Sequence, residues 1–158
     1  MTVMELKRLM VDDFVYSKKH HQIVRVCNVG SMYVQYYVNG VLFESDDEDI
    51  EPIVLTEALL KKFSFKTRRI VGWEGVKNYF WKGGNMQVRL ISLFYKEINF
   101  FDIIIEPVDS GDLCRGDFRC AIGGYMRFTP VRYVHEMQQA FRLNGIDKEF
   151  NLTREDKK

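Results

Sequence analysis

The chain has 158 residues, with 23 basic and 22 acidic side chains and a formal net charge of +1. That balance lacks the basic excess by which dedicated nucleic-acid binders neutralise phosphates. With 46% hydrophobic and 14% aromatic residues, extended disorder is confined to the charged tail from Thr153 to Lys158.

Three further classes are excluded on composition. Cys27, Cys114 and Cys120 are odd in number and widely spaced, which argues against a disulfide framework and for a reducing, cytoplasmic setting. No second cluster or nearby histidine completes a zinc pattern around Cys114 and Cys120, so neither metal nor another cofactor is expected. Charges interrupt the first fourteen residues, and no run of about eighteen apolar residues occurs. Neither a signal peptide nor a membrane span is therefore expected.

In chain order, residues 13–45 read as a β-meander. Phe14 to Tyr16 form a first strand, Ser17 to His21 a polar turn, and Ile23 to Val29 a β-branched strand ended by Gly30. Ser31 to Val38 alternate, with Met32, Val34, Tyr36 and Val38 on one face and Ser31, Tyr33, Gln35 and Tyr37 on the other. Asn39-Gly40 is the strongest hairpin signal, since both residues tolerate the positive φ of a type I′ turn. Val41 to Glu44 close that hairpin. Glu44, Asp46, Asp47, Glu48, Asp49 and Glu51 then crowd an acidic stretch up to Pro52 that reads as a solvated linker or, alternatively, as an attraction for a basic partner. Thr56 is the expected N-cap of a short helix, Glu57 to Phe63, with Glu57 and Lys61-Lys62 matched to its dipole.

The second half begins with strands over Arg69 to Trp73, Val76 to Trp81 and Met86 to Tyr95, joined by turns at Glu74-Gly75 and Lys82 to Asn85. Phe100 to Glu106 is apolar on both faces and reads as a strand covered on both sides. Asp117 to Ile122 is another strand after a loop from Val108 to Gly116. Thr129 as N-cap, Pro130 at the first position and Gly145 as left-handed C-cap predict the longest helix, Pro130 to Leu143. Its apolar stripe holds Tyr133, Val134, Met137, Ala140 and Phe141. A final strand is expected from Glu149 to Leu152.

The fold expected from these elements is α+β: an SH3-like, barrel-like β-meander over 1–55, a short connecting helix in 56–66, and an antiparallel sheet packed by the C-terminal helix over 67–158, the modules sharing one core.

Two stretches carry a resemblance. The first is Glu5-Leu6-Lys7-Arg8 leading into Asp13-Phe14-Val15, followed by Asp49 to Glu57 and Leu59-Leu60-Lys61-Lys62-Phe63. The second is Tyr133 to Gln139 with Leu143, Gly145 and Ile146. In order and spacing they resemble a family of small uncharacterised Bacteroides-type proteins. The resemblance implies a bacterial cytoplasmic protein, carried on mobile or phage-derived DNA, and assigns no catalytic residue. The family favours glycine where Asp12 and Ser64 stand here.

Candidate sites follow from residue chemistry. Tyr33, Gln35 and Tyr37 on one strand face, with Trp73 and Trp81 bracketing a turn, make either an aromatic platform for a protein or nucleic-acid partner or a second packed layer. His135 and Glu136, with loop carboxylates Asp109, Asp112 and Asp117, are the groups a small hydrolase or nuclease-like enzyme would use. Neighbours on a helix point about 100° apart, so His135 and Glu136 cannot both face one substrate directly. His20-His21 beside Lys18 and Lys19 reads as a solvated hairpin tip or an anion or metal contact. The leading expectation is a non-enzymatic binding or adaptor module without membrane attachment; a structural homo-oligomer is the remaining alternative.

Overall fold

The structure is a computed structural model that describes residues 8–69, 77–95, 98–107, 126–127 and 130–152. It is mostly β: two antiparallel five-stranded sheets and a short C-terminal helix. The chain divides into two units. One comprises Met1–Val54, Tyr133–Gln139 and Glu149–Lys158; the other comprises Leu55–Arg132 and Ala140–Lys148.

The first unit is built on strands β1 (Phe14–Ser17), β2 (Gln22–Val29), β3 (Val34–Val38), β4 (Val41–Ser45) and β5 (Ile50–Pro52), in the order β4-β3-β2-β1-β5. Asn39 and Gly40 have φ of 50° and 77°, the left-handed pair that a two-residue hairpin needs. This turn sets the register Val38↔Val41, Tyr37↔Leu42, Tyr36↔Phe43, Gln35↔Glu44 and Val34↔Ser45. Alternation then sends Val34 and Tyr36 into a core with Leu9, Val15, Val24, Val26 and Ile50. The Tyr36 hydroxyl closes this core as a hydrogen-bonded hub, 3.0 Å from Ser17 Oγ and 2.7 Å from Ser45 Oγ. The His20 ring lies 4.3 Å from that of Phe43, so His20 folds back onto an aromatic side chain while Lys19 and His21 of the polar turn stay exposed.

Two sequence expectations change here. Ser31 and Met32 lie outside β3 in a bend, and Met32 is exposed because the chain turns from Gly30 to Tyr33 through a 2.8 Å hydrogen bond. The acidic stretch is more than a linker. Its end, Ile50–Pro52, is strand β5 paired to β1, anchored by fully buried Ile50. Pro52 closes this edge strand, where a missing N–H is tolerated.

The second unit carries helix α1 (Glu57–Lys62) and strands β6 (Lys66–Arg69), β7 (Lys77–Gly83), β8 (Met86–Tyr95), β9 (Ile98–Pro107) and β10 (Met126–Arg127), ordered β10-β9-β8-β7-β6. Thr56 caps α1 as expected, its side chain accepting from Leu59 N–H at 3.3 Å. One sheet face contributes buried Tyr79, Val88, Leu90, Phe101, Ile103 and Ile105. The expected double coverage of β9 is present: Phe101 through Glu106 are all buried. Its other face mixes buried Ile104 with the polar Asp102 and Glu106. Glu106, 1% exposed, accepts from Gln87 Nε2 at 2.6 Å and lies 2.9 Å from Arg89 Nε. A strand is present at Lys66–Arg69, entered directly after buried Phe63 and Phe65; of the strand expected over Arg69 to Trp73, everything after Arg69 lies outside the described residues. The expected strand Asp117 to Ile122 lies outside the described residues.

Helix α2 (Val134–Leu143) starts four residues later than its sequence signals indicate. Pairing overrides them: Val131 exchanges both backbone hydrogen bonds with Phe101, and Arg132 C=O accepts from Leu55 N–H. These bonds hold the chain extended past Pro130, and Glu136 then caps the helix by accepting from Tyr133 N–H at 3.1 Å. The segment Glu149 to Leu152 forms no strand; Phe150 and Leu152 are buried without ladder pairing.

Both helices end in the same six-residue closure. In α2, Ile146 N–H reaches Phe141 C=O and Gly145 N–H reaches Arg142 C=O, with Gly145 at φ 66°. In α1, Phe65 N–H reaches Leu60 C=O and Ser64 N–H reaches Lys61 C=O, with Ser64 at φ 68°. A side chain in that conformation is strained by about 1 kcal/mol. Asp12, at φ 74°, is held similarly. Ser64→Gly is therefore expected to stabilise the protein by about 0.5–1 kcal/mol and Gly145→Ala to destabilise it by about 1 kcal/mol or more in urea unfolding.

Candidate functional site

The outer face of the first sheet is set by the same alternation that fills its core. Tyr37 and its cross-strand partner Leu42 point outward, 59% and 47% exposed; Val41, beside the turn and on the opposite face, is 56% exposed. Next along the face is a polar ladder: Asn28 Nδ2 donates to Gln35 Oε1 at 3.0 Å, and Gln35 Nε2 donates to Glu44 Oε2 at 3.1 Å. Tyr37 also forms one wall of an open groove of about 410 Å³ whose lining includes Asp12, Ile23, Arg25 and Cys27. Arg25 Nε is held 2.9 Å from Asp12 Oδ1. Cys27 donates to Gln35 C=O at 3.2 Å, beside an irregularity where β2 shifts register.

β4 is the edge of this sheet. In a two-residue hairpin the residues flanking the turn, Val38 and Val41, exchange hydrogen bonds. The amides of Leu42 and Glu44 therefore face away from β3, along the open edge. Among the described residues no strand pairs with them.

The other sequence candidates are distributed elsewhere. Tyr33 is half-buried and precedes β3; its ring lies so close to Gly30 that a Cβ there would overlap it. Trp81 sits in the second unit, its ring centroid 5.5 Å from that of Phe141 and 4.9 Å from Lys148 Nζ. Burial lowers the Lys148 pKa at this contact. A side chain at Gly83 would overlap the same indole, so Trp81 is a packing residue on this side. Trp73, Asp109, Asp112 and Asp117 lie outside the described residues. His135 is buried and stacked on Tyr133, centroids 5.7 Å apart, while Glu136 caps the helix. Among the described residues no group of three or more His, Cys, Asp or Glu side chains could hold a metal ion. None of their helices is long and apolar enough to cross a membrane.

Sequence reasoning missed Val41, Leu42 and the groove residues, although the Asn39-Gly40 turn carries the signal for the first two. A two-residue loop places residue 37 opposite 42 by counting alone.

No family model, curated protein or solved structure matches the chain.

One charged cluster in the second unit has a definite titration behaviour. Glu57 accepts from Lys77 Nζ at 2.8 Å and lies 3.2 Å from Lys61 Nζ. Hydrogen bonds from Lys77, Lys61 and Tyr79 hold its carboxyl down at about 2, from an ordinary 4.5. Burial, the Glu57 charge and the hydrogen bond to it push Tyr79 up to about 12. A depressed carboxylate stabilises the fold above its unfolded value and loses that contribution as pH falls toward the folded one. Carboxyl NMR titration is expected to show Glu57 ionised until near pH 2, and Lys77→Met to return its midpoint toward 4.5.

Proposed function

We propose that this chain is a non-enzymatic, cytoplasmic binding module that accepts an extended segment of another protein along β4, at the edge of an SH3-like first sheet. The observation that carries this reading is the unprotected state of that edge. Exposed edges are normally blunted by brevity, proline, lysine or covering elements, because their open amides recruit strands. β5 is three residues long and ends in Pro52, and β6 is Lys-Thr-Arg-Arg. β4 is Val-Leu-Phe-Glu-Ser, with two exposed apolar side chains and neither proline nor lysine. An added strand gains backbone hydrogen bonds from Leu42 and Glu44, and its side chains meet the Tyr37–Leu42 pair. The resemblance to small Bacteroides-type proteins adds a bacterial setting and is neutral as to activity.

The test is photo-crosslinking in the native cytoplasm from a benzoylphenylalanine at position 41, with position 143 as an exposed control in the other unit. One discrete adduct is expected at 41 and none at 143. Leu42→Lys supplies the charge that protected edges carry; Leu42 is half-exposed, so stability is expected to change by less than about 0.5 kcal/mol while the adduct is lost. Equal adducts at both positions, or an adduct that survives Leu42→Lys, would overturn strand addition at β4.

A further inference from the structure

The charge around the edge specifies what kind of strand it takes, an inference that rests on the strand-addition reading. The chain's near-neutral total conceals a segregation. The segments of the first unit hold thirteen acidic and eight basic side chains, formally −5, whereas those of the second hold nine and fifteen, formally +6. Within the first unit the acids concentrate at the C-terminal end of β4. Glu44 lies on the edge strand itself, and Asp46, Asp47, Glu48 and Asp49 follow it directly. Among the described residues none of these four aspartates and glutamates makes an ion pair. The nearby cations have other positions: Lys18 pairs with Glu51 at 3.8 Å, Arg25 with Asp12 at 2.9 Å, and Lys19 Nζ lies 5.8 Å from the centre of the Phe43 ring.

We propose that the strand accepted by β4 is a lysine- or arginine-bearing segment of a different protein, and not a second copy of this chain. Antiparallel pairing of two copies through β4 brings two formally −5 units together and offers each acidic run only the uncharged Asn39-Gly40-Val41 end of the other copy. A basic segment instead meets Glu44 and Asp46 at the end of the edge, neither of which makes an ion pair. Geometry places its cations as well. A strand added antiparallel to β4 begins beside Ser45, so its basic residues belong at its N-terminal end. An apolar residue further along then falls opposite Leu42, on the face shared with Tyr37. Steering of this kind acts over about 8 Å at physiological salt and weakens as salt rises.

The inference is tested with the full chain, ¹⁵N-labelled, and three nine-residue peptides. They share one alternating valine–threonine core and begin with two lysines, two serines or two glutamates. The amides of Leu42 to Ser45 report binding in NMR titrations at 50 and 200 mM salt. At low salt the lysine peptide is expected to bind at least tenfold more tightly than the serine peptide, and the glutamate peptide most weakly. High salt narrows the gap. Asp46→Asn with Glu48→Gln brings the lysine peptide to the serine peptide's level and leaves the latter unchanged; both positions are exposed, and asparagine keeps the acceptor that Asp46 Oδ1 offers Glu48 N–H. Equal binding of the lysine and serine peptides at β4 overturns the charge inference and leaves strand addition standing. Failure of every peptide to move the β4 amides overturns both. A dimer in light scattering that Leu42→Lys dissociates would show self-pairing, and so overturn the choice of partner alone.

Discussion

The first unit depends on one tight turn. Asn39 and Gly40, both at positive φ, join β3 to β4 with two residues and so leave no freedom in how the strands pair. A slip of one residue would send Tyr36 to solvent and Tyr37 to the core. It would also break the hydroxyl hub, since Ser45 meets Tyr36 only in the observed register. The same register that buries Tyr36 exposes Tyr37 beside Leu42. The core and the proposed binding face are thus two consequences of one backbone constraint, and a sequence change that loosened the turn would affect both.

Edges distinguish the two sheets. In the second, edge strand β6 reads Lys-Thr-Arg-Arg, the kind of charge that protected edges carry. In the first, β5 is protected by its length and by Pro52. β4 is the exception, and its surroundings argue that it is a selective one. An edge that is apolar and flanked by acids would discriminate among partners: the apolar pair rewards contact, and the acidic run favours positively charged strands and repels acidic ones. Net charge alone hides this, because an acidic unit and a basic unit cancel almost completely in one chain.

Local signals were legible where local chemistry decides the outcome. Thr56 as a cap, Asn39-Gly40 as a turn, Gly145 as a helix end and the limits of β8 all follow from neighbouring residues. The misses share a different cause. Pro130 and Thr129 spell a helix start, yet Val131 and Arg132 give their backbone groups to Phe101 and Leu55, partners tens of residues away. Ile50–Pro52 sits in a run of acids, and becomes a strand because β1 offers a second side and Ile50 fills the core. The buried Glu106 with Gln87 and Arg89 was hidden within an apparently apolar strand, since its partners lie on another strand. For the site, Tyr37 was legible as a face residue, but its isolation from Tyr33 was not. That separation comes from the Gly30–Tyr33 turn, whose close approach of ring to backbone has no periodic signature.

The polar side chains of the first unit show how the molecule treats backbone groups that strands leave over. Gln138, itself buried, accepts from Phe14 N–H at 2.9 Å and donates to Asp12 C=O at 3.2 Å. Gln139 donates to Arg8 C=O at 2.7 Å, Asp13 accepts from Met10 N–H at 2.8 Å, and Ser17 Oγ accepts from His20 N–H at 3.3 Å. Glu136 serves α2 in the same manner. These residues supply polar groups where backbone would otherwise go unpaired, as an interior requires. Glu136, the nearest thing to a catalytic acid in the described sequence, is thereby engaged in holding a helix end. Among the described residues β4 receives no such hook along its outer side. Against this many long-range side-chain bonds to backbone, the apolar edge of β4, open among the described residues, is what the proposed strand addition would satisfy.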